Sequence, residues 1–255
     1  MRTLIALVGL AVATLSSCGV TQSQGPYLIL DGNNRQIDGA SSVDAQPADA
    51  APDAKVCSNG RVIFLNFEGV TLTRAASDAT MNRANWLPGG SATIPQFRAN
   101  DGGRATLITN ITDLAKANLA QFPVTIVTTR PTTGPYIMVA FGGARAMFNT
   151  TYPSITGLNC GDVRPSGVGW VADDVTAQQG ANLVVSVAAI SIGLTGITEN
   201  KPRDCLCGWG GPVCDPDQTQ ACQLSTSVQR EQRCAGEPAT QNEVTAFNRA
   251  FCEMR

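Results

Sequence analysis

Hydrophobic positions along this 255-residue chain change their spacing several times, and each change marks an element. In residues 61–69, Arg61-Val-Ile-Phe-Leu-Asn-Phe-Glu-Gly69, a continuous apolar run from Val62 to Leu65 gives way to alternation around Asn66 and Glu68 and is bounded by Gly69. Such a run fits a strand over residues 62–67 that is buried on both faces. Residues 71–101 mix Pro, Gly, Asn and Trp86 without a period and read as loop with short helical pieces. From 104 to 121 the apolar residues Leu107, Ile108, Ile111, Leu114, Ala115 and Leu119 recur every three or four positions, opposite Thr109, Asp113 and Lys116. This spacing predicts an amphipathic surface helix, stopped by Pro123. Strands are expected over 124–129, 136–141 and 168–172, the first two joined by the Pro- and Gly-marked turn at 130–135. Residues 181–197 carry no charge and are apolar nearly all round, so they predict a helix packed on most of its surface. The last periodic stretch, 241–252, turns Val244, Phe247 and Phe251 to one side as a closing helix.

Upstream of residue 61 the pattern is different. Met1-Arg2 supplies charge, residues 3–15 are uncharged and largely apolar, and Leu15-Ser-Ser-Cys18 closes the run. The apolar stretch is too short to span a bilayer and fits the core of a secretory signal. Leu-Ser-Ser-Cys resembles a bacterial lipobox, the end of a lipoprotein signal peptide over 1–18, which implies cleavage before Cys18, acylation of Cys18 as the mature N-terminus and a membrane anchor through lipid. Each buried methylene of an acyl chain contributes about 0.8 kcal/mol, so several chains make a durable anchor. Gly19 follows the cysteine, so no Asp argues for the inner membrane, and the expected address is the outer membrane of a Gram-negative envelope. Residues 19–56 are rich in Pro, Ala and Asp and have little to bury, so they read as a tether of roughly 35 Å reach. A short strand over 27–30, before Asp31-Gly-Asn, is the one element expected inside it.

Beyond the tether the chain divides into a domain at 57–200 and a cysteine-rich C-terminal subdomain at 201–255. With Cys18 set aside, the cysteines are Cys57, Cys160, Cys205, Cys207, Cys214, Cys222, Cys234 and Cys252. An even set in an exported chain predicts four disulfides, with the pairing left open by the sequence. Cys205 and Cys207 are poorly placed to bond each other, so each is expected to reach a different partner. A four-thiolate zinc site at Cys205, Cys207, Cys214 and Cys222 is the competing reading, disfavoured by the C-x-C spacing and an oxidising compartment.

Charge and composition narrow the function. A net charge of −2 and the lack of a basic cluster leave nucleic acid without an electrostatic footprint. The chain has no histidine, which excludes Ser-His and Cys-His nucleophiles. A serine–lysine pair has only Lys55, Lys116 and Lys201 to draw on. Glu68 with Asp173-Asp174 is the candidate acidic cluster for acid–base work, against the plainer reading of Asp173-Asp174 as the start of a solvated loop. Asn110-Ile-Thr112 and Asn149-Thr-Thr151 match the glycosylation sequon, which a bacterial lipoprotein does not use. No cofactor is expected.

Residues Ser186-Val-Ala-Ala-Ile-Ser-Ile-Gly-Leu-Thr-Gly196 resemble the zinc helix of metzincin metalloproteases. That helix reads H-E-x-x-H-x-x-G-x-x-H, three imidazoles holding zinc and the glutamate acting as base. Here the ligand positions are Ser186, Ile190 and Gly196, and the base position is Val187. The segments Val62-Ile-Phe-Leu-Asn-Phe-Glu-Gly-Val70, Arg130-Pro131, Tyr136-Ile-Met-Val-Ala-Phe-Gly-Gly143 and Asn159-Cys-Gly-Asp162 also look like a group of exported bacterial zincin-like lipoproteins. The resemblance implies an α/β (α+β) fold: a zincin-like twisted mixed sheet with a surface helix, a buried former active-site helix and a disulfide-rich C-terminal tail. It also implies that Asp204-Cys-Leu-Cys207 is the turn beneath the metal, with Leu206 where metzincins carry Met. The chemistry at such a helix is missing, since hydroxyl, alkyl and glycine cannot replace three imidazoles and valine accepts no proton. Two function classes follow: a non-catalytic envelope lipoprotein that binds a peptide or another envelope protein, or a His-free or carboxylate-dependent hydrolase whose site is not recognised.

Overall fold

The computed structural model describes residues 61–209 and 214–252 with their side chains, and the backbone of Leu28–Leu30. The lipobox Cys18, the rest of the expected tether and Cys57 lie outside the described residues. In chain order the elements are β1 Leu28–Leu30, β2 Val62–Asn66, β3 Val70–Arg74, β4 Arg83–Ala84, β5 Ser91–Ile94 and α1 Arg104–Asn118. Then come β6 Thr125–Val127, β7 Tyr136–Phe141, β8 Ser154–Gly157, β9 Val168–Val171, α2 Ala177–Ser191, β10 Val228–Gln229, β11 Thr240–Gln241 and α3 Glu243–Cys252. The fold is mixed α/β.

Six strands form the main sheet in the order β1-β8-β9-β7-β2-β6. All neighbours run parallel except β8 and β9, which are antiparallel with Ile155 opposite Trp170. The unbroken apolar runs of β2 and β7 reflect a sheet covered on both faces. Ile63, Leu65, Ile137, Val139 and Phe141 join the core on one side. Phe64, Tyr136, Met138 and Ala140 alternate with them and face the other side.

Both long helices cover the first face. α1 turns Ile111 and Ala115 into the core it shares with α2, and the two helices pack directly on each other. Gly180 makes this approach possible, since a Cβ there would lie 3.1 Å from the Ile111 side chain. α2 also lies across β8, β9 and β7. Every residue from Gly180 to Ser191 in it is buried. Val187 fits where Gly169 leaves room on β9, because a Cβ at Gly169 would come within 2.4 Å of it.

The second face is covered by residues 70–97, most of the 71–101 stretch whose composition reads as loop with short helical pieces. They fold into a small sheet in which β3 pairs antiparallel with β5 and parallel with β4. Leu72, Ala84, Trp86, Leu87 and Ile94 are buried there against Phe64, Tyr136 and Trp170. Two polar groups seal the layer: the Trp86 indole donates to the Val168 carbonyl at 2.8 Å, and the Tyr136 hydroxyl to that of Ala79 at 3.1 Å. The strands are too short and too interrupted for their period to stand out in sequence. β8, four residues within the stretch that reads as a long loop, is hidden in the sequence for the same reason.

The C-terminal tail completes the helical face. Leu206, Trp209, Phe247 and Phe251 belong to the same apolar cluster as α2 and the sheet, so the tail shares the domain's core. Phe247 stacks on Phe251 and touches Phe122. The Arg61 guanidinium sits over the Phe251 ring and makes a two-pronged ion pair with Asp162. Disulfides join Cys160 to Cys234, Cys205 to Cys222 and Cys207 to Cys214. Cys205 and Cys207 therefore do reach different partners. In the chain-entropy model the Cys160–Cys234 link, closing 74 residues, contributes roughly 4 kcal/mol and the shorter ones about 2–3 kcal/mol each. Cys252 is also disulfide-bonded.

Two outcomes are expected from this packing. Val187→Asp places a charge between α2 and β9 with no counter-ion, and we predict a loss of roughly 4 kcal/mol or more in denaturant unfolding. Unaltered melting of a soluble Val187→Asp protein would mean that α2 does not pack on β9. Thiol titration of the mature protein, denatured without reductant, is expected to find Cys160, Cys205, Cys207, Cys214, Cys222, Cys234 and Cys252 all unreactive. Four reactive thiols accompanied by bound zinc would replace the disulfide framework with a metal site.

Candidate functional site

Helix α2 starts four residues before the expected 181, because Thr176 is its N-cap and its side chain accepts from the Gln179 N–H. It ends at Ser191, short of the expected 197, and Gly193 then turns the chain with φ +96°. A Cβ at Gly193 would lie 2.8 Å from the Asn159 carbonyl oxygen, so sterics as well as torsion require glycine there. Asn159 holds the end of this helix, its amide donating to the Ser191 carbonyl at 2.9 Å and to that of Arg164 at 2.8 Å. The Cys160–Cys234 bond next to it carries this junction through to the tail.

The four positions that would carry metalloprotease chemistry look in different directions. Ser186 faces the 204–207 turn, and its hydroxyl lies against the carbonyls of Asn182 and Cys205. Val187 packs under β9. Ile190 is enclosed in the apolar core, and the Gly196 carbonyl accepts from the Glu231 N–H at 2.9 Å. Ser186 is 1 % exposed, Val187 and Ile190 are fully buried, and Gly196 is buried too. These residues do not fit a zinc ion: the one hydroxyl is committed to backbone carbonyls, and the others offer no donor side chain. The turn containing Leu206 abuts α2 through the Cys205 carbonyl, which accepts from the Ser186 hydroxyl, and the Leu206 carbonyl accepts from the Ile197 N–H beyond the helix at 3.3 Å.

The acidic candidates are not brought together as a pair. Glu68 is bonded to Arg104 and Gln96, which hold its carboxyl below the usual range. Asp173 accepts from the Arg98 backbone N–H, while Asp174 is ion-paired with Arg145. Of the lysines, Lys116 is exposed on α1, Lys201 is paired with Glu199, and Lys55 lies outside the described residues.

A different carboxyl pair is built into the interior. Asp204, in the turn after α2, and Glu243, the first residue of α3, are 5 % and 0 % exposed. They hydrogen-bond each other. Asp204 also accepts from the Leu206 N–H and the Ser225 hydroxyl. Glu243 accepts from the Ser225 N–H and the Gln241 amide, both at 2.8 Å. Burial, with the Asp204 charge beside it, pushes the Glu243 carboxyl up to about 8, and burial pushes Asp204 up as well. Two buried carboxyls side by side disfavour a state in which both are charged. A shallow depression of about 230 Å³, lined by Lys201, Pro202, Arg203, Asp204, Gln223 and Ser225, lies on the outer side of Asp204. Nothing in the sequence singled out this pair, since an acid in the first turn of a helix ordinarily points to solvent.

Set beside known families and curated proteins, the sequence finds no match in either.

Proposed function

We propose that the chain is a membrane-anchored envelope lipoprotein whose folded domain descends from a zincin-like metalloprotease and acts by binding or as a structural component, without catalysis. Support for the fold comes from the order of elements: strand, surface helix, mixed sheet, buried helix and disulfide-rich tail. Gly193 supports it further, since it stands at the glycine of the zinc-helix pattern and turns the chain away from α2 there. The observation that carries the non-catalytic reading is the packing at Ser186, Val187, Ile190 and Gly196. These positions are filled by small and apolar groups engaged with the sheet and the tail, and no reacting atom has access to them. Their burial points away from the former cleft as a binding surface and toward the exterior of the domain for contact with a peptide or envelope protein.

Two measurements test this reading. Cys18→Ala is expected to move the protein from the membrane pellet to the soluble fraction, and unchanged fractionation with no lipid adduct by mass spectrometry would remove the anchor from the proposal. Elemental analysis of the oxidised mature protein, after dialysis against zinc, is expected to find well under one equivalent per chain, with no cleavage in a broad peptidase screen. Stoichiometric zinc lost on mutating Glu68, Asp173 or Asp174 would instead establish a carboxylate metal site and favour a hydrolase.

A further inference from the structure

We propose that Asp204 and Glu243 form a one-proton latch, in which the shared proton clamps the C-terminal helix to the turn after α2 and its loss in mildly alkaline medium frees the start of that helix together with residues 225–229. The latch is independent of the proposed ancestry, since it rests on three elements that meet around two buried carboxyls. The turn contributes Asp204 and the Leu206 N–H. The segment leading to β10 contributes Ser225, which bridges both acids through its hydroxyl and its backbone N–H. β11 and α3 contribute Gln241 and Glu243, and the Gln241 amide also donates to the Thr195 carbonyl beyond α2.

The charged groups around the pair do not neutralise it. Lys201 is the cation that acts on Asp204, but it is 39 % exposed and already paired with Glu199. Arg203, on the rim of the depression, donates to the Ala221 carbonyl. Arg230 reaches Gln241 at 3.3 Å, yet its ion pair is with Glu237. With one proton present, the Glu243 O–H donates to the Asp204 carboxylate and the pair carries a single charge. When base removes that proton to solvent, two carboxylates face each other in a buried site, and the arrangement can persist only by admitting water.

The direction of the effect follows from linkage. The Glu243 carboxyl titrates at about 8 in the folded chain, against 4.5 as its ordinary value. The folded state therefore keeps a proton that the unfolded chain gives up near the ordinary value. Its stabilisation is fully present below about pH 4.5, declines as pH rises, and is gone above about pH 8. The Cys160–Cys234 and Cys205–Cys222 bonds keep the tail attached, so opening is local and reversible.

Thermal melting of the oxidised mature protein at pH 5, 7 and 9, with hydrogen exchange of α3 at the same pH values, tests the latch. The melting temperature is expected to fall by roughly 10 °C from pH 5 to pH 9. α3 amides, corrected for intrinsic rate, are expected to lose protection before those of α2. Glu243→Gln keeps an N–H donor toward Asp204 but cannot ionise, so it is expected to flatten both trends. Asp204→Asn removes the facing charge and is expected to flatten them as well, which keeps the test available if Glu243→Gln does not fold. A wild-type melting temperature constant across this range would overturn the latch. So would a fall that either variant reproduces in full, or α3 protection at pH 9 equal to that at pH 5.

Discussion

Burial of α2 from Gly180 to Ser191 organises the rest of the molecule. The helix has no charged residue, and twelve of its positions in succession are buried, so one packed face cannot satisfy it. The sheet covers it through β8, β9 and β7, and α1 covers a second side. The tail, with Leu206, Trp209, Phe247 and Phe251, closes the remainder. Of these covers, α1, β7 and α3 come from distant parts of the chain, which ties the domain's stability to long-range contacts around one helix. Two of its polar side chains find partners within this enclosure. Asn182 donates to the Gln220 carbonyl and accepts from the Cys222 N–H, and Ser186 is held against Asn182 and Cys205. Thus Asn182 and Ser186 both help to fasten the tail to α2.

That fastening explains why a tail of little regular structure holds a position in the core. β10 and β11 pair over only two residues each. Such a pairing is weak by itself, and small cores of this kind ordinarily depend on disulfides. Cys205–Cys222 and Cys207–Cys214 shape the turn beneath α2, while Cys160–Cys234 joins the tail to the loop that caps the end of the helix. The covalent links and the latch act on different freedoms: the former limit how far the tail departs, and the latter fixes where α3 begins.

Sequence made the framework legible and left its coverings obscure. The spacing of Leu107, Ile111 and Ala115 predicted α1, and the unbroken runs of β2 and β7 predicted strands covered on both faces. The layer at 70–97 could not be read because its strands of two to five residues are too short for alternation to emerge, and Trp86 declares its burial only through its place over Val168. Hydrophobicity alone does not mark the ends of α2, which capping sets. Thr176 and Gln179 mark the start, and Gly193 marks the stop. The Asp204–Glu243 pair was beyond reach for a deeper reason: a buried acid is defined by what folds over it, and its two members lie far apart in the chain.

On the proposed ancestry, loss of the metal and gain of packing are one process. A catalytic helix must keep polar ligands, a carboxylate and an open coordination position, so one of its sides stays unpacked. Ser186, Val187 and Ile190 let this part of α2 close against the sheet and the tail, and Gly196 is buried beyond its end. Gly169 approaches so near to Val187 that a longer side chain there has no room while β9 keeps its place. The Ser186 hydroxyl has become the tie to Cys205 that seats the disulfide-bonded turn. Returning four residues to His, Glu, His and His would therefore leave the site unbuilt. A glutamate at 187 would be driven against the sheet, and an imidazole at 186 would displace the turn below it. Restoring the chemistry first requires the sheet and tail to open away from α2, which would remove the cover that an uncharged helix depends on.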